Sequence, residues 1–224
     1  MSCLCPACRN SSTVKESISS RTDITLEIYF CLNCGHGFQQ KTKDYDIYSS
    51  GEFSKTAREN TTIPTEKKIK SLDKTALRRF NYHKKYFANV TSALEVGSSI
   101  GSFVHLLKLY GVNAMGIEPD AVYASCSESQ YGLSQEAVLF ENYHSDKKYD
   151  LIYSFHVIEH IPDPVAYVKK AHALLNKDGK LLIECPSWDL HCFGDIKQTI
   201  WEPHLQYFTL SSMYVLLAGN GFAV

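Results

Sequence analysis

The sequence predicts an α/β chain in which a small cysteine-rich module precedes a doubly wound parallel sheet. Three observations carry that expectation. Beyond residue 91, short apolar runs alternate with helix-length segments, the pattern of parallel strands covered by helices. A glycine-bearing turn, Gly97-Ser-Ser-Ile-Gly101, separates the first such run from the first helix. Five of the eight cysteines, Cys3, Cys5, Cys8, Cys31 and Cys34, fall in the first 34 residues.

A chain of 224 residues is long enough for one ordinary domain and a small extra module. With 44% apolar and 21% charged residues it is not wholly disordered. No apolar run reaches the roughly 18–20 residues of a membrane span. The opening MSCLCPACRN has no apolar stretch of the secretory type, so a cytoplasmic protein is expected. Charge is uneven. Residues 1–90 carry 15 Lys and Arg against 9 Asp and Glu, a net +6; residues 91–224 carry 8 against 15, a net −7. These shifts divide the chain into a module at 1–40, a linker and basic arm at 41–90, and an α/β domain at 91–224.

In the first module, C-P-A-C (Cys5, Cys8) and C-L-N-C-G-H (Cys31, Cys34) form two C-x2-C knuckles. Each supplies two sulfurs from one tight turn, and the pair suits a tetrahedral zinc–thiolate site. Four thiolates leave no open coordination position, so such a zinc is structural. Cys3 and His36 are spare donors. A redox dithiol and a rubredoxin-like iron site are the alternatives. Thr25–Phe30 alternates and is β-rich, as the hairpin of a zinc ribbon requires.

Residues 41–64 are polar and contain Tyr45, Tyr48, Ser49, Ser50 and Gly51, with no strong periodicity. From Glu66 to Phe87 the pattern turns helical, with Thr65 as N-cap. Ile69, Leu72, Ala76, Phe80 and Phe87 fall near one face, and Lys67, Lys68, Lys70, Lys74, Arg78, Arg79, Lys84 and Lys85 make the rest basic. That face is either a solvated helix surface or a contact for phosphates.

The α/β elements are expected as follows. Ser92–Val96 is a strand, and the helix after the glycine turn runs through Phe103, Leu106, Leu107 and Tyr110 to a stop at Gly111. Ala114–Glu118 is the second strand, Val122–Ser129 a helix, and Ala137–Phe140 a third strand. Asp150–Phe155 is the fourth strand, Asp163–Leu175 a helix and Lys180–Cys185 the fifth strand. Ligands of such sheets sit at the carboxyl ends of the strands. Glycines in the first turn allow close approach to the backbone. Glu118, 23 residues after Glu95, stands where a carboxylate accepts ribose hydroxyls, a feature shared with dinucleotide enzymes.

The run Tyr149-Asp-Leu-Ile-Tyr-Ser-Phe-His-Val-Ile-Glu-His-Ile-Pro-Asp-Pro164 resembles the class I S-adenosylmethionine (SAM)-dependent methyltransferases, in the branch of the ubiquinone-biosynthesis-type O-methyltransferases. The resemblance covers roughly residues 90–224 and implies a Rossmann-like seven-stranded sheet with an antiparallel last strand. By position, Glu95, Gly97 and Gly101 match the first SAM motif, with Ser99 in place of its usual middle glycine. Glu118 matches the ribose-binding acid, Glu141 and Asn142 the adenine contacts, and Phe155 and His156 the end of the fourth strand near the methionine part of SAM. Glu159 and His160 belong to the same motif and are expected chiefly to order the loop. Gly221-Phe-Ala-Val224 reads as the start of a sixth strand, so the sheet is expected to be truncated there. That leaves an edge for a partner or dimer to cover.

Thr199-Ile-Trp-Glu-Pro-His-Leu-Gln-Tyr-Phe-Thr-Leu210 is similar to the YHEHxxYF segment of the deoxysugar C-methyltransferases, which also begin with a cysteine-rich zinc module. His204, Tyr207 and Phe208 keep its offsets; Trp201, Glu202 and Pro203 depart from it. The resemblance implies methyl transfer to a small molecule, such as a sugar nucleotide or glycan precursor, at oxygen or carbon. His204 is the expected general base, with Glu202 as its partner and packing as its alternative role. Trp188, Trp201, Tyr207 and Phe208 either line the acceptor site or fill the core. Cys185 and Cys192 are expected to be buried small residues. RNA methylation, or a silent SAM-fold interaction module, are the other functions these motifs allow.

Overall fold

The computed structural model describes residues 3–40, 63–189 and 199–224. In chain order the elements are β1 (Thr13–Ser19), β2 (Thr25–Cys31), β3 (Gly37–Gln39), α1 (Glu66–His83), β4 (Ser92–Val96), α2 (Ser102–Leu109), β5 (Asn113–Ile117), α3 (Ala121–Tyr131), β6 (Tyr149–Phe155), α4 (Pro164–Leu174), β7 (Leu175–Glu184), β8 (Gln206–Tyr207) and α5 (Leu210–Ala218). They form two compact units. The first comprises Met1–Lys43, His156–Ala173 and Ile183–Val224, and the second Asp44–Phe155 and Leu174–Leu182. Among the described residues no helix is long and apolar enough to cross a membrane.

The second unit is the α/β part. Its sheet has the order β5-β4-β6-β7, and β4 runs parallel to both neighbours, with Leu94 opposite Met115 and Ile152. A central strand covered on both faces reads as an unbroken apolar run, and Ala93, Leu94, Leu151 and Ile152 are fully buried. Thr65 caps α1 by accepting from the Lys68 N–H, and Phe80 of that helix packs on Phe87 and Phe103. The helical periodicity to Phe87 resolves into α1 and a 3-10 turn at Lys84–Phe87. Asp150, at the start of β6, accepts from Thr91 N (2.9 Å), Thr91 Oγ1 (2.7 Å), Ser92 N (3.1 Å) and Asn176 Nδ2 (2.7 Å). One carboxylate thus pins the entries of β4 and β6 to the first residues of β7, and these donors hold it well below the usual carboxylate range.

Three expected boundaries change. Ala137–Phe140 is not a strand: pairing there shrinks to one parallel bridge, Ile117 with Glu136. Val138 N turns back onto Glu136 O (3.1 Å), and a 3-10 turn at Phe140–Asn142 takes the chain away from the sheet. The fifth strand begins at Leu175 rather than Lys180, directly after α4. Asp178 lies at φ +64° within it, and at Gly179 a Cβ would meet Tyr149 O at 3.0 Å. Residues 222–224 form no strand: Phe222 N bonds Leu217 O (3.2 Å), which closes the end of α5, and the Phe222 ring packs on His172.

The first unit is built on the antiparallel sheet β1-β2-β3-β8. Alternation along β2 points Leu26 and Ile28 inward, where they pack with Ile200 and Tyr207. The fourth strand arrives from far along the chain: Gly37 pairs with Tyr207 and Phe38 with Gln206. Two residues carry no readable period, so β8 has no sequence signature. Asp163 caps α4 through Val165 N and Ala166 N. Thr209 and Ser212 form a capping box on α5, and the Thr209 hydroxyl also donates to Cys34 O (3.2 Å).

Candidate functional site

The glycine turn of the second unit is a run of left-handed residues: Gly97 at φ +74°, Ser99 at +53° and Gly101 at +80°. Gly97 N and Ser98 N both donate to Ile117 O (2.9 and 3.0 Å), tying the turn to the end of β5. The Glu118 carboxylate accepts from Ser99 N (2.8 Å) with one oxygen and from Asp120 N (3.1 Å) with the other. Gln135 donates to Ser99 O (2.9 Å) and accepts from the Ser98 hydroxyl. These two side chains cross directly over Gly116, where a Cβ would lie 2.5 Å from Ser98 Oγ and closer still to Gln135 Oε1. Gln135, Ser98 and Gly116 therefore shape the turn, although nothing in their local sequence marks them.

Glu95, on β4, is buried and accepts from Tyr153 O–H (3.2 Å). Burial pushes its carboxyl up to about 8, against the opposing pull of Tyr153 and the Arg79 charge. Phe155 ends β6 beneath the Arg79 guanidinium, 4.5 Å above the ring. Glu141 and Asn142 lie exposed on the 3-10 turn that follows the Glu136 bridge.

The remaining expected residues belong to the first unit. Cys5 and Cys34 sulfurs are 3.7 Å apart, Cys8 and Cys31 sulfurs 3.5 Å, and all four lie within 4.8 Å of one another. A tetrahedral zinc with Zn–S bonds of about 2.3 Å has S···S edges of about 3.8 Å, so the four sulfurs fit that ion. Two left-handed residues, Arg9 and Gly35, close the knuckles, with Arg9 N on Cys5 O and Gly35 N on Cys31 O (both 2.9 Å). Burial pushes the Cys34 thiol up to about 12 and raises Cys5 as well. Burial also acts on Cys8, but the Asn10 N–H and neighbouring thiols outweigh it and bring Cys8 to about 7. Cys3 is outside the group of four. His36 is also outside it, with Nε2 on Gln206 Oε1 (2.9 Å).

His156 opens the loop after β6 at φ +57°, a strained position for a residue with a Cβ. Its half-exposed ring bridges Glu159 (Nδ1, 3.2 Å) and Glu184 (Nε2, 3.3 Å). His204 is held through its backbone: its N donates to Trp201 O (2.9 Å), and its carbonyl accepts from Gln39 Nε2 (2.6 Å). Its ring Nδ1 donates to Thr199 O (3.2 Å). Burial brings its pKa down to about 4, and the nearby His160 adds to this.

Glu202 faces elsewhere, accepting from the Ser20 and Thr22 hydroxyls. The carboxylate that converges with His204 is Glu159, together with His160. The expected pairing of His204 with Glu202 missed this because convergence across 45 residues is a property of the tertiary fold. The signal available was the Glu159-His160 motif itself.

Of the four aromatics, Tyr207 and Phe208 are core residues, 2% exposed. Trp188 packs on Phe30 and Tyr207, and Trp201 lies under the Arg21 guanidinium at 3.9 Å. Cys185 is part-buried, its thiol pushed up to about 12 by burial. Cys192 and the polar stretch at 41–62 lie outside the described residues.

A parallel sheet with a glycine turn and an acid at the next strand end defines a nucleotide-type α/β enzyme fold, and sequence comparison gives its class. A family profile for a methyltransferase domain matches residues 65–224, and the chain belongs to this methyltransferase family. No curated protein matches it by sequence. Among solved structures, a SAM-dependent methyltransferase from Archaeoglobus fulgidus is 17% identical, with 80% of this chain and 75% of that one covered and a TM-score of 0.55. The plantazolicin methyltransferase BpumL in complex with SAH is 16% identical, covering 80% and 71%, at a TM-score of 0.53. Streptomyces venezuelae DesVI is 14% identical over 69% of this chain, at a TM-score of 0.47, and the match spans 62% of its length. At their identities the first two likenesses are of fold, a Rossmann-like α/β methyltransferase.

Proposed function

We propose that the chain transfers a methyl group from SAM to a small-molecule acceptor, a sugar nucleotide or related glycan precursor, at oxygen or carbon. The observation that carries this reading is the Glu118 carboxylate, fixed at the Gly97–Gly101 turn by the Ser99 and Asp120 N–H groups. A carboxylate accepts about four hydrogen bonds. The two N–H groups of the turn orient this carboxylate, and ribose hydroxyls would donate to it. When bound, SAM supplies an electrophilic methyl group on a sulfonium.

The chain's own contribution is to hold the cofactor, align the acceptor and remove a proton. Gly97, Ser99 and Gly101 admit the cofactor to the backbone, and Glu95 supports the turn from β4. Glu141 and Asn142 serve adenine, and Phe155 and His156 the methionine end. His204 is the proton acceptor: with Nδ1–H committed to Thr199 O, its Nε2 lone pair is available, and its low pKa keeps it unprotonated.

Residues 1–40 act as a zinc-binding ribbon in which Cys5, Cys8, Cys31 and Cys34 hold a structural ion. Residues 41–90 are the connecting arm and residues 91–224 the methyltransferase domain. Unpaired cysteines and the absence of a spanning helix among the described residues suit a cytoplasmic enzyme.

The test is calorimetric titration of SAM and SAH into the full chain, followed by labelled methyl transfer to a panel of nucleotide sugars. Saturable binding that is lost in Glu118→Ala, with label on an acceptor, is expected. Absence of SAM binding overturns the cofactor assignment. Label on RNA with steep salt dependence, instead of on sugars, overturns the acceptor class.

A further inference from the structure

A second cluster of metal-binding side chains lies in the first unit, away from the four cysteines in sequence. One ligand atom each from Glu159, His160 and His204 lies within 4.8 Å of the others, and all three side chains are buried. Three features suit this group to a cation. The His160 Nδ1 is 2.9 Å from Pro203 O, and the His204 Nδ1 is 3.2 Å from Thr199 O. A carbonyl only accepts, so both rings carry their proton on Nδ1 and present Nε2 as a lone-pair donor. This is the arrangement by which outer-shell carbonyls orient histidine ligands. The rings lie 5.0 Å apart at an interplanar angle of 65°, facing one another edge to face rather than stacked.

The third feature is the acid. Glu159 is only 2% exposed. Its Oε1 meets His156 Nδ1 at 3.2 Å, whereas its Oε2 is buried without a hydrogen-bond partner. An orphaned buried carboxylate oxygen costs roughly 1–3 kcal/mol or more unless something satisfies it.

We propose that Glu159, His160 and His204 form a binding site for one divalent first-row transition-metal ion, zinc being the best fit. Two imidazoles and one carboxylate match the donor set of open zinc sites, in which three protein ligands leave a fourth position for water or an oxygen of a bound molecule. The thiolate site differs in kind, since its four sulfurs leave no position open. The fold explains the convergence. Glu159 and His160 are fixed by the 3-10 turn at Ile158–His160, and Leu205 N bonds Glu159 O at 2.7 Å, which brings the His204 loop onto that turn.

This proposal deepens the methyl-transfer reading and revises one role within it. An ion there would take the His204 Nε2 lone pair, so the metal-loaded chain would need another proton acceptor, and the ion's open position would be available to an oxygen of a bound molecule.

The experiment counts metal rather than turnover. Full-length protein is stripped of metal, refilled with Co²⁺ or Zn²⁺, and weighed by native mass spectrometry, with cobalt spectra recorded alongside. Two ions per chain are expected. The thiolate-to-cobalt charge-transfer band should belong to only one of them. Glu159→Gln and His160→Asn should each lower the second ion's affinity at least 10-fold while keeping the first ion and its band.

Binding of a single ion, or a second ion held equally well by both variants, overturns the proposal. Glu159→Gln is nearly isosteric, and retention of the thiolate band reports that the unit is folded. SAM affinity, read separately by titration, distinguishes failure of this site from failure of the methyltransferase reading.

Discussion

Ser99 sits at φ +53° in the middle of the Gly97–Gly101 turn, and replacing it tests whether that backbone conformation is strained. The left-handed region brings Cβ against the following carbonyl, at a cost of roughly 1–2 kcal/mol for a residue other than glycine. Ser99→Gly removes this cost but adds roughly 0.5–1 kcal/mol of chain entropy to the unfolded state. The net expectation is a gain of about 0.5–1 kcal/mol, or about 1–4 °C in melting temperature for a chain of this size. The Ser99 N–H to Glu118 and the Ser99 carbonyl from Gln135 are backbone contacts, so both survive. SAH affinity should therefore change by less than about threefold.

Ser99→Ala keeps both Cβ and φ and should melt near the parent. Ser99→Val places a branched side chain at positive φ and should lose more than about 1 kcal/mol, together with SAH binding. Thermal unfolding by circular dichroism and SAH calorimetry read all three. A Ser99→Gly variant less stable than Ser99→Ala, or a Ser99→Val variant that melts and binds like the parent, would refute the strain argument.

Glu95 should make stability fall with rising pH. Its folded pKa is raised from the ordinary range to about 8, so its stabilising contribution is complete below the unfolded value near 4.3 and is lost as pH rises through about 8. The slope is at most about 1.4 kcal/mol per pH unit in that window, and Glu95→Gln should flatten it in urea melts at pH 5, 6.5 and 8.5; an unchanged slope would show that another group controls it. Stripping metal from the thiolate site, or Cys34→Ser, should raise amide exchange of residues 204–209 at least 10-fold, because Thr209 and Gln39 tie that segment to the ribbon. Unaltered exchange there after metal loss would show the two to be energetically separate.

The sequence was most informative where one chemical constraint repeats locally. Runs such as Ser92–Val96 and Asp150–Phe155 announce buried parallel strands because both faces are apolar. The spacing of Cys5, Cys8, Cys31 and Cys34 announces a cluster because a knuckle is local geometry, and the structure brings those four sulfurs together. Ala137–Phe140 misled because apolar content alone does not specify pairing, and Val138 N is spent on a local turn. The convergence of Glu159 with His204, rather than of Glu202, was not legible. It depends on a backbone bond between Leu205 and Glu159, which no local pattern encodes. Likewise Gln135 gains its place at the Gly97–Gly101 turn only because Gly116 leaves room for it.

The pairing of β3 with β8 has a consequence for how this chain is made. His36 and Gln206, which bond across that junction, are 170 residues apart in sequence. On the ribosome the ribbon's hairpin and cysteine knuckles emerge well before β8, so their sheet lacks its fourth strand until Gln206 and Tyr207 have been synthesised. Closing so long a loop is slow relative to local hairpin formation. Throughout that interval β3 presents an unpaired edge to the cell. Its brevity, three residues, limits what can dock there. The N-terminal module thus begins folding early and finishes late, and arrival of the His204 segment is the event that completes it.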